Sequence, residues 1–226
     1  MQLAIDTSTN TTSLALVQDS AMLTELTWQC EQNHSVELLP HLADLLCQAG
    51  ASIQSISGII IARGPGSFNA LRVGVSTAKG LAFSLGIPIV GISTLEAEAY
   101  QHNEIDLPIC PIFNAGRGEI ATAIYQMKDN EWQRIIDEHI TTVEALCSQI
   151  TAKTLFCGEF VASITEELKK RLKQKAIISS SPATSRRIGS LAELGQKRLQ
   201  AGDYDSPATL NPLYLRRPPI TQRKHR

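Results

Sequence analysis

The sequence predicts an α/β protein built from two related lobes, and three observations carry the prediction. Strand-like and helix-like segments alternate, as they do where helices cover a sheet. The series three strands, helix, strand, helix recurs at an offset of about 105 residues. The segment "ISGIIIA" is apolar throughout, which marks a strand buried on both faces. The halves share no visible residue identity, so the repeat is one of pattern.

The elements follow in order. "LAIDT" is an apolar strand ending at Asp6, and "TSLALV" and "AMLTELTW" alternate with period two, which gives a three-strand meander. "HSVELLPHLADLLCQAG" changes the period: Val36, Leu38, Leu39, Leu42, Leu45 and Leu46 recur at helical spacing, and Gly50 stops the helix. Pro40 lies inside it and is expected to kink it or to mark a late start. After "ISGIIIA", Gly64-Pro65-Gly66 turns the chain into a helix rich in small residues, which ends at Gly86 with Pro88 just beyond. "IPIVGIS" is a strand and "TLEAEAYQ" a short helix.

The second series has "LPICPIFNA", "EIATAIYQM" and "WQRIIDEHI" as strands and "TTVEALCSQI" as a helix. "KTLFCGE" is a strand, "VASITEELKKRLKQ" a helix, "AIIS" a strand and "SLAELGQKRLQAG" the last helix. Lobe boundaries are expected at residues 1–104 and 105–206. Residues 207–226 form a C-terminal segment in which "LNPLYLRR" docks back. Beyond Arg217 disorder is expected, because five of the last eleven residues are basic and none is acidic.

Composition narrows the class. Apolar residues make up 43% and charged residues 19% of 226, the profile of a water-soluble globular chain. No apolar run approaches the roughly 20 residues of a membrane span, and the N-terminus lacks a signal-peptide pattern. Five cysteines with no C-x-x-C pair argue against a disulfide framework and for the reducing cytoplasm. Charge is segregated: residues 1–113 hold three Lys or Arg against ten Asp or Glu, residues 114–226 eighteen against twelve. Two lobes with different neighbours fit that division.

Most enzyme signatures fail. A Walker loop needs Lys-Ser or Lys-Thr, whereas Lys79 precedes Gly80 in mid-helix. The dinucleotide pattern fails at Asn69, where its third glycine belongs. The glycine loop therefore either receives an anion at a helix start or simply turns a strand into a helix. His34 and His41, seven apart on one helix, are separated by roughly 10 Å and cannot share a metal ion. His34 is expected to cap or flank the helix and His41 to pair with Glu37. No G-x-S-x-G is present and no cysteine has an activating neighbour in sequence, so peptidase chemistry has no motif. The "KKRLKQK" run from Lys169 to Lys175 reads as a solvated face or as a secondary phosphate contact, without an RNA-stacking signature.

"LAIDTST", "HSVELLP", "ARGPGSF" with "LRVGVSTAKGLA", and "PLYLRRP" resemble, in order and spacing, the TsaB (YeaZ) family. The resemblance spans nearly the whole chain. It implies the duplicated, two-lobe actin-like fold of the actin, heat-shock and sugar-kinase (RNase H-like) group. It also implies a noncatalytic subunit that binds and activates the TsaD transferase, which makes N6-threonylcarbamoyladenosine next to the tRNA anticodon, at position 37. By the same resemblance a TsaE-like ATPase is a further partner, tRNA is met through the complex, and the chain forms a homodimer when alone. ATP and metal are expected in the partner proteins, with no cofactor, metal or catalytic residue in this chain.

Three departures stand out. Asn69-Ala70 replaces the family's Thr-Gly, with Asn69 expected to keep the capping role. Asn114 stands where the second lobe usually has an aspartate. Beyond Pro219 nothing matches.

Within the actin-like group, Asp6-Thr7-Ser8-Thr9 resembles a remnant of the first phosphate turn, with Asp6 as the magnesium-side carboxylate. Asp6, Thr7, Gly64 and Gly66 are thus the candidate nucleotide residues, and a nucleotide-dependent enzyme is the alternative function. The other reading of Asp6 is a turn residue bonding its own backbone. For the partner interface the candidates are His34, Leu38, Leu42, Leu71, Gly74, Val75, Ala78 and Ala82, on the two long helices of the front half. The second of these helices carries two rows of small residues, Ala70-Gly74-Ala78-Ala82 and Ser76-Gly80-Ser84. Interior glycines cost a helix about 1 kcal/mol each, so closeness to another backbone should compensate.

Overall fold

The computed structural model describes residues 1–30, 33–180 and 187–216. The basic tail from residue 217, and the disorder expected there, lie outside them. Strands β1 (Gln2–Asp6), β2 (Thr11–Gln18) and β3 (Ala21–Gln29) form the meander, followed by α1 (His34–Gln48), β4 (Gly58–Ala62), α2 (Phe68–Leu85), β5 (Ile89–Ile92) and α3 (Thr94–Tyr100). The second series is β6 (Ile109–Gly116), β7 (Glu119–Lys128), β8 (Glu131–Thr141), α4 (Val143–Gln149), β9 (Thr154–Cys157), α5 (Val161–Leu172), β10 (Ala176–Ile178) and α6 (Arg187–Gln200). Helix α1 continues through Pro40. Pro40 is the seventh residue of α1, so it does not mark a late start, and it removes the one bond that position 40 would have given to the Val36 carbonyl.

The two sheets have the same topology. The first runs β3-β2-β1-β4-β5 and the second β8-β7-β6-β9-β10. In each, the first strand is antiparallel to the second and parallel to the fourth. The duplication read from the element series is thus a duplication in space.

What joins the lobes is an exchange of their last helices. Helices α1 and α2 cover one face of the first sheet, with Leu38, Leu42, Val75 and Ala78 packed on Leu3, Ile5, Ile59 and Ile61. Its other face is covered by α6, through Ile188, Leu191 and Ala192 on Ala4, Ile60 and Val90. Conversely α3 places Leu95 and Ala99 on the second sheet, against Ile109, Phe113 and Ala123. The exchanged helices touch each other, and Tyr100 donates to Glu193 at 2.7 Å. The segment after α6 returns across the front: Leu210 is buried, and the Leu213 N–H donates to the Arg63 carbonyl at 2.6 Å. Arg216 pairs with Glu119 on the β6–β7 hairpin. Among the described residues no helix is long and apolar enough to cross a membrane.

Candidate functional site

The cleft between the lobes is where the candidate nucleotide residues meet. Asp6 ends β1 and is 1% exposed. Its Oδ1 accepts from the Ser8 N–H at 2.9 Å and the Ser8 hydroxyl at 2.6 Å, which fixes the turn that follows. Its Oδ2 accepts from Arg187 Nε at 2.6 Å. Arg187, 3% exposed, also donates to Glu159 Oε1 and Thr9 Oγ1, each at 3.0 Å, and lies 3.6 Å from Glu98 Oε2. Its guanidinium is 5.8 Å from the Phe113 ring centre. One cation from the start of α6 therefore ties β1, α3 and the loop after β9 into a single knot.

The electrostatics of the knot follow from three carboxylates around one guanidinium. Burial works against the charge of Arg187, but Asp6, Glu98 and Glu159 outweigh it and its pKa is raised. Asp6 holds the short contact. Glu98, 1% exposed and with no hydrogen bond to Oε2, is the member that burial pushes up to about 7, against the pull of Arg187 and with Glu159 and Asp6 adding to the rise.

The glycine loop is packed just as tightly. The Gly64–Pro65 peptide is cis. Gly64 lies at φ +109°, and its N–H donates to Thr94 Oγ1 at 3.1 Å. A Cβ on Gly66 would run into the Ser8 carbonyl, and the Ser67 N–H already donates to that oxygen at 2.7 Å. Thr7 donates to the Ala70 carbonyl at 2.8 Å. A nucleotide phosphate with its cation does not fit these residues as they stand: both Asp6 oxygens accept hydrogen bonds, Arg187 already pairs with that carboxylate, and Gly66 gives its close approach to Ser8. In the second lobe, Asn114 turns inward on its own hairpin, accepting from the Gly116 N–H at 2.8 Å. Among the described residues no group of three or more His, Cys, Asp or Glu is placed to hold a metal ion.

The expected docking residues need correction in their orientation. His34, Leu38, Leu42, Leu71, Gly74, Val75, Ala78 and Ala82 are all buried beneath α1 and α2, against the chain's own sheet and turns. The row Ala70-Gly74-Ala78-Ala82 is small because of β1 and its turn: a Cβ on Gly74 would collide with Thr7 Oγ1. The other row, Ser76-Gly80-Ser84, is the exposed one. Around a Cβ on Gly80 there is open space. Phe83 on the same helix is 84% exposed, and on α1 Val36 and Leu39 are 70% and 54% exposed. Asn69 is not the cap either; Ser67 holds that position, without a side-chain cap bond. His41 lies 3.9 Å from Asp44 and against Trp28, while Glu37 accepts from Trp28 Nε1 at 3.0 Å. Of the cysteines, Cys30, Cys110 and Cys157 are buried, and burial pushes Cys110 up to about 12, away from nucleophile chemistry.

Sequence reading did not single out Arg187 or Glu98. They are 89 positions apart by number, and Arg187 meets Asp6 across 181 residues, so no local spacing announces them. The outward apolar residues were not set apart either: Val36 and Leu39 belong to the same helical series as the buried Leu38, Leu42, Leu45 and Leu46.

A duplicated α/β fold with exchanged helices, and between its lobes a buried ion-pair knot beside a hollow of about 450 Å³ bordered by Ser8, Thr9, Gly66, Phe113 and Glu159, defines a protein of the actin-like fold. The comparisons agree on the fold. A solved structure from Pseudomonas aeruginosa, described as an uncharacterized protein with similarity to peptidase YEAZ, superposes with a TM-score of 0.79 at 24% identity, covering 96% of this chain and all of that one. The ROK hexokinase of Thermus thermophilus superposes at 0.56 with 8% identity, over 88% of this chain and 99% of that one. The family described as "TsaD: tRNA N6-adenosine threonylcarbamoyltransferase" matches residues 28–221. The tRNA threonylcarbamoyladenosine biosynthesis protein TsaB of Bacillus subtilis is 33% identical over 217 residues, 95% of this chain and 93% of that protein. The chain belongs to the TsaB family, a branch of that wider TsaD family.

Proposed function

We propose that the chain is a noncatalytic subunit in the synthesis of N6-threonylcarbamoyladenosine on tRNA, and that it docks and activates a TsaD-like transferase through the outward face of α1 and α2. The family supplies the pathway. The observation that carries the docking face is Gly80: it sits inside an 18-residue helix, costs that helix stability, and has no neighbour among the described residues to require it. Phe83 on α2 and Val36 and Leu39 on α1 are exposed as well, and a small surface of this kind suits the close approach of a second helix pair. A stable interface of this kind covers about 1,600 Å² in total.

The commitment of Asp6 to Arg187 and to Ser8 supports the noncatalytic part of the reading and weighs against the nucleotide-dependent alternative. On this reading ATP and metal belong to the transferase and to a TsaE-like ATPase, tRNA is met through the assembled complex in the cytoplasm, and the same face supports self-association when the transferase is missing.

Reconstitution tests it. Modification of tRNA by the partner proteins should be lost when this chain is omitted, with no activity from the chain alone. Gly80→Trp and Phe83→Asp should fold normally yet fail to co-elute with the transferase. Wild-type co-elution of both variants would sink the docking face, and ATP hydrolysis at an enzyme's rate by the isolated chain would sink the noncatalytic reading.

A further inference from the structure

The outer edge of the second sheet carries charge that the fold does not use. Helix α5 buries Val161, Ile164, Leu168 and Leu172 and exposes Lys169, Lys170 and Arg171 in its last turn. A 3-10 turn, Lys173–Lys175, follows and leads straight into β10, the outermost strand. From Leu168 to Ala176 there are five basic residues and no acidic one. The parallel register of β10 with β9 sets Ala176 beside Thr154. Lys175 and Lys153, each one residue earlier, therefore begin neighbouring strands, which lie about 4.8 Å apart.

Part of this charge has a local use. Lys169 lies 3.9 Å from Glu166, and Arg171 reaches Glu167 at 2.9 Å and Glu144 at 3.2 Å. Cations in a last turn also offset the negative end of the helix dipole. That use stops where α5 stops. Lys153, Lys170, Lys173 and Lys175 are exposed, and none has an ion-pair partner among the described residues. Like charges at neighbouring strand starts repel. Lys173 stands at φ +53°, a conformation that glycine adopts more cheaply. Neither feature helps the isolated chain fold, whereas a polyanion laid along the edge uses both. No aromatic side chain is exposed on α5, β9 or β10, so the surface suits phosphates rather than stacked bases. Acid returns on the far side of β9, where Glu104 and Asp106 precede β6, and this bounds the patch to the β9–β10 edge.

We infer that this edge binds the sugar-phosphate backbone of RNA, with Lys153, Lys170, Lys173 and Lys175 as the phosphate contacts. The identity of that RNA as tRNA rests on the role proposed above, to which a direct contact by this chain is added. The division of charge supports it. Residues 1–113 hold three Lys or Arg against ten Asp or Glu and residues 114–226 eighteen against twelve, so a polyanion is steered to the second lobe. The α1–α2 face of the first lobe is left free for the transferase.

The test is fluorescence anisotropy of a labelled tRNA transcript titrated with the isolated full chain, from about 50 to 200 mM salt. Saturable binding is expected at the low end, falling steeply with salt. Lys153→Gln, Lys170→Gln, Lys173→Gln and Lys175→Gln together should weaken it about tenfold or more at low salt. The same four changes should cut the slope of log K against log salt by roughly 3, while the melting temperature and co-elution with the transferase stay as in wild type. The four Lys→Arg changes should restore binding. Gly80→Trp should bind tRNA like wild type, so a failure of the docking face and a failure of this contact read out separately. The inference is overturned if the wild-type chain gives no saturable binding at low salt, or if the four Lys→Gln changes leave affinity and slope unchanged. It is overturned equally if those changes abolish co-elution with the transferase, which would assign the edge to a protein partner.

Discussion

Replacing Arg187 by methionine removes the one cation that Asp6, Glu98 and Glu159 share. The methionine keeps much of the packing volume, so the change isolates the charge. Asp6 and Glu98 are each 1% exposed, and Asp6 loses its 2.6 Å contact. Breaking a buried pair from one side costs about 3–5 kcal/mol, because the remaining charge stays desolvated. For a chain of this size each kcal/mol lowers Tm by roughly 2–4 °C, so a fall of roughly 6–20 °C is expected at pH 8. Differential scanning calorimetry or urea unfolding at pH 8 and pH 5 reads it. The loss should shrink at pH 5, where Glu98, pushed up to about 7 by burial, takes up a proton. Asp6→Asn combined with Arg187→Met should recover part of the loss, since the two residues act as one unit. A drop of less than about 2 °C for Arg187→Met at pH 8, well under the smallest value expected, would falsify the view that this knot holds the lobes together.

The remaining predictions test single contacts. Glu98 is raised to about 7 in the fold, so the native state binds more protons than the unfolded chain between about pH 4.5 and pH 7, and stability from this group falls as pH rises through that window. Glu98→Gln should flatten that slope and raise stability at pH 8 by up to about 3 kcal/mol, which urea unfolding across pH 4.5–8 measures. Gly74→Ala should destabilise the isolated chain by about 1–3 kcal/mol in denaturant melts, because its Cβ enters the space of Thr7 Oγ1. Gly80→Ala, six residues on, meets nothing and should stabilise the isolated chain by about 1 kcal/mol in the same assay. That contrast separates the inward row from the outward one before any partner is added.

The sequence by itself determined the order of elements, the duplication and the class. Period two in "TSLALV", helical spacing from Leu38 to Leu46, and the apolar run of Ile59, Ile60 and Ile61 are local signals, because a segment must match its own period to the face it buries. The family was legible for the same reason, in short blocks that stay contiguous along the chain. Which of the two small rows of α2 faces inward was not legible: Gly74 and Gly80 look alike in sequence, and only the position of Thr7 beneath one of them tells them apart. The fate of the cleft was equally hidden. Asp6 reads as a relic of a phosphate turn until α6 crosses to the first sheet and carries Arg187 onto it from 181 residues away. Tertiary structure decided these points because they depend on which surfaces meet, and the exchange of α3 and α6 between lobes brings together residues that no spacing along the chain relates.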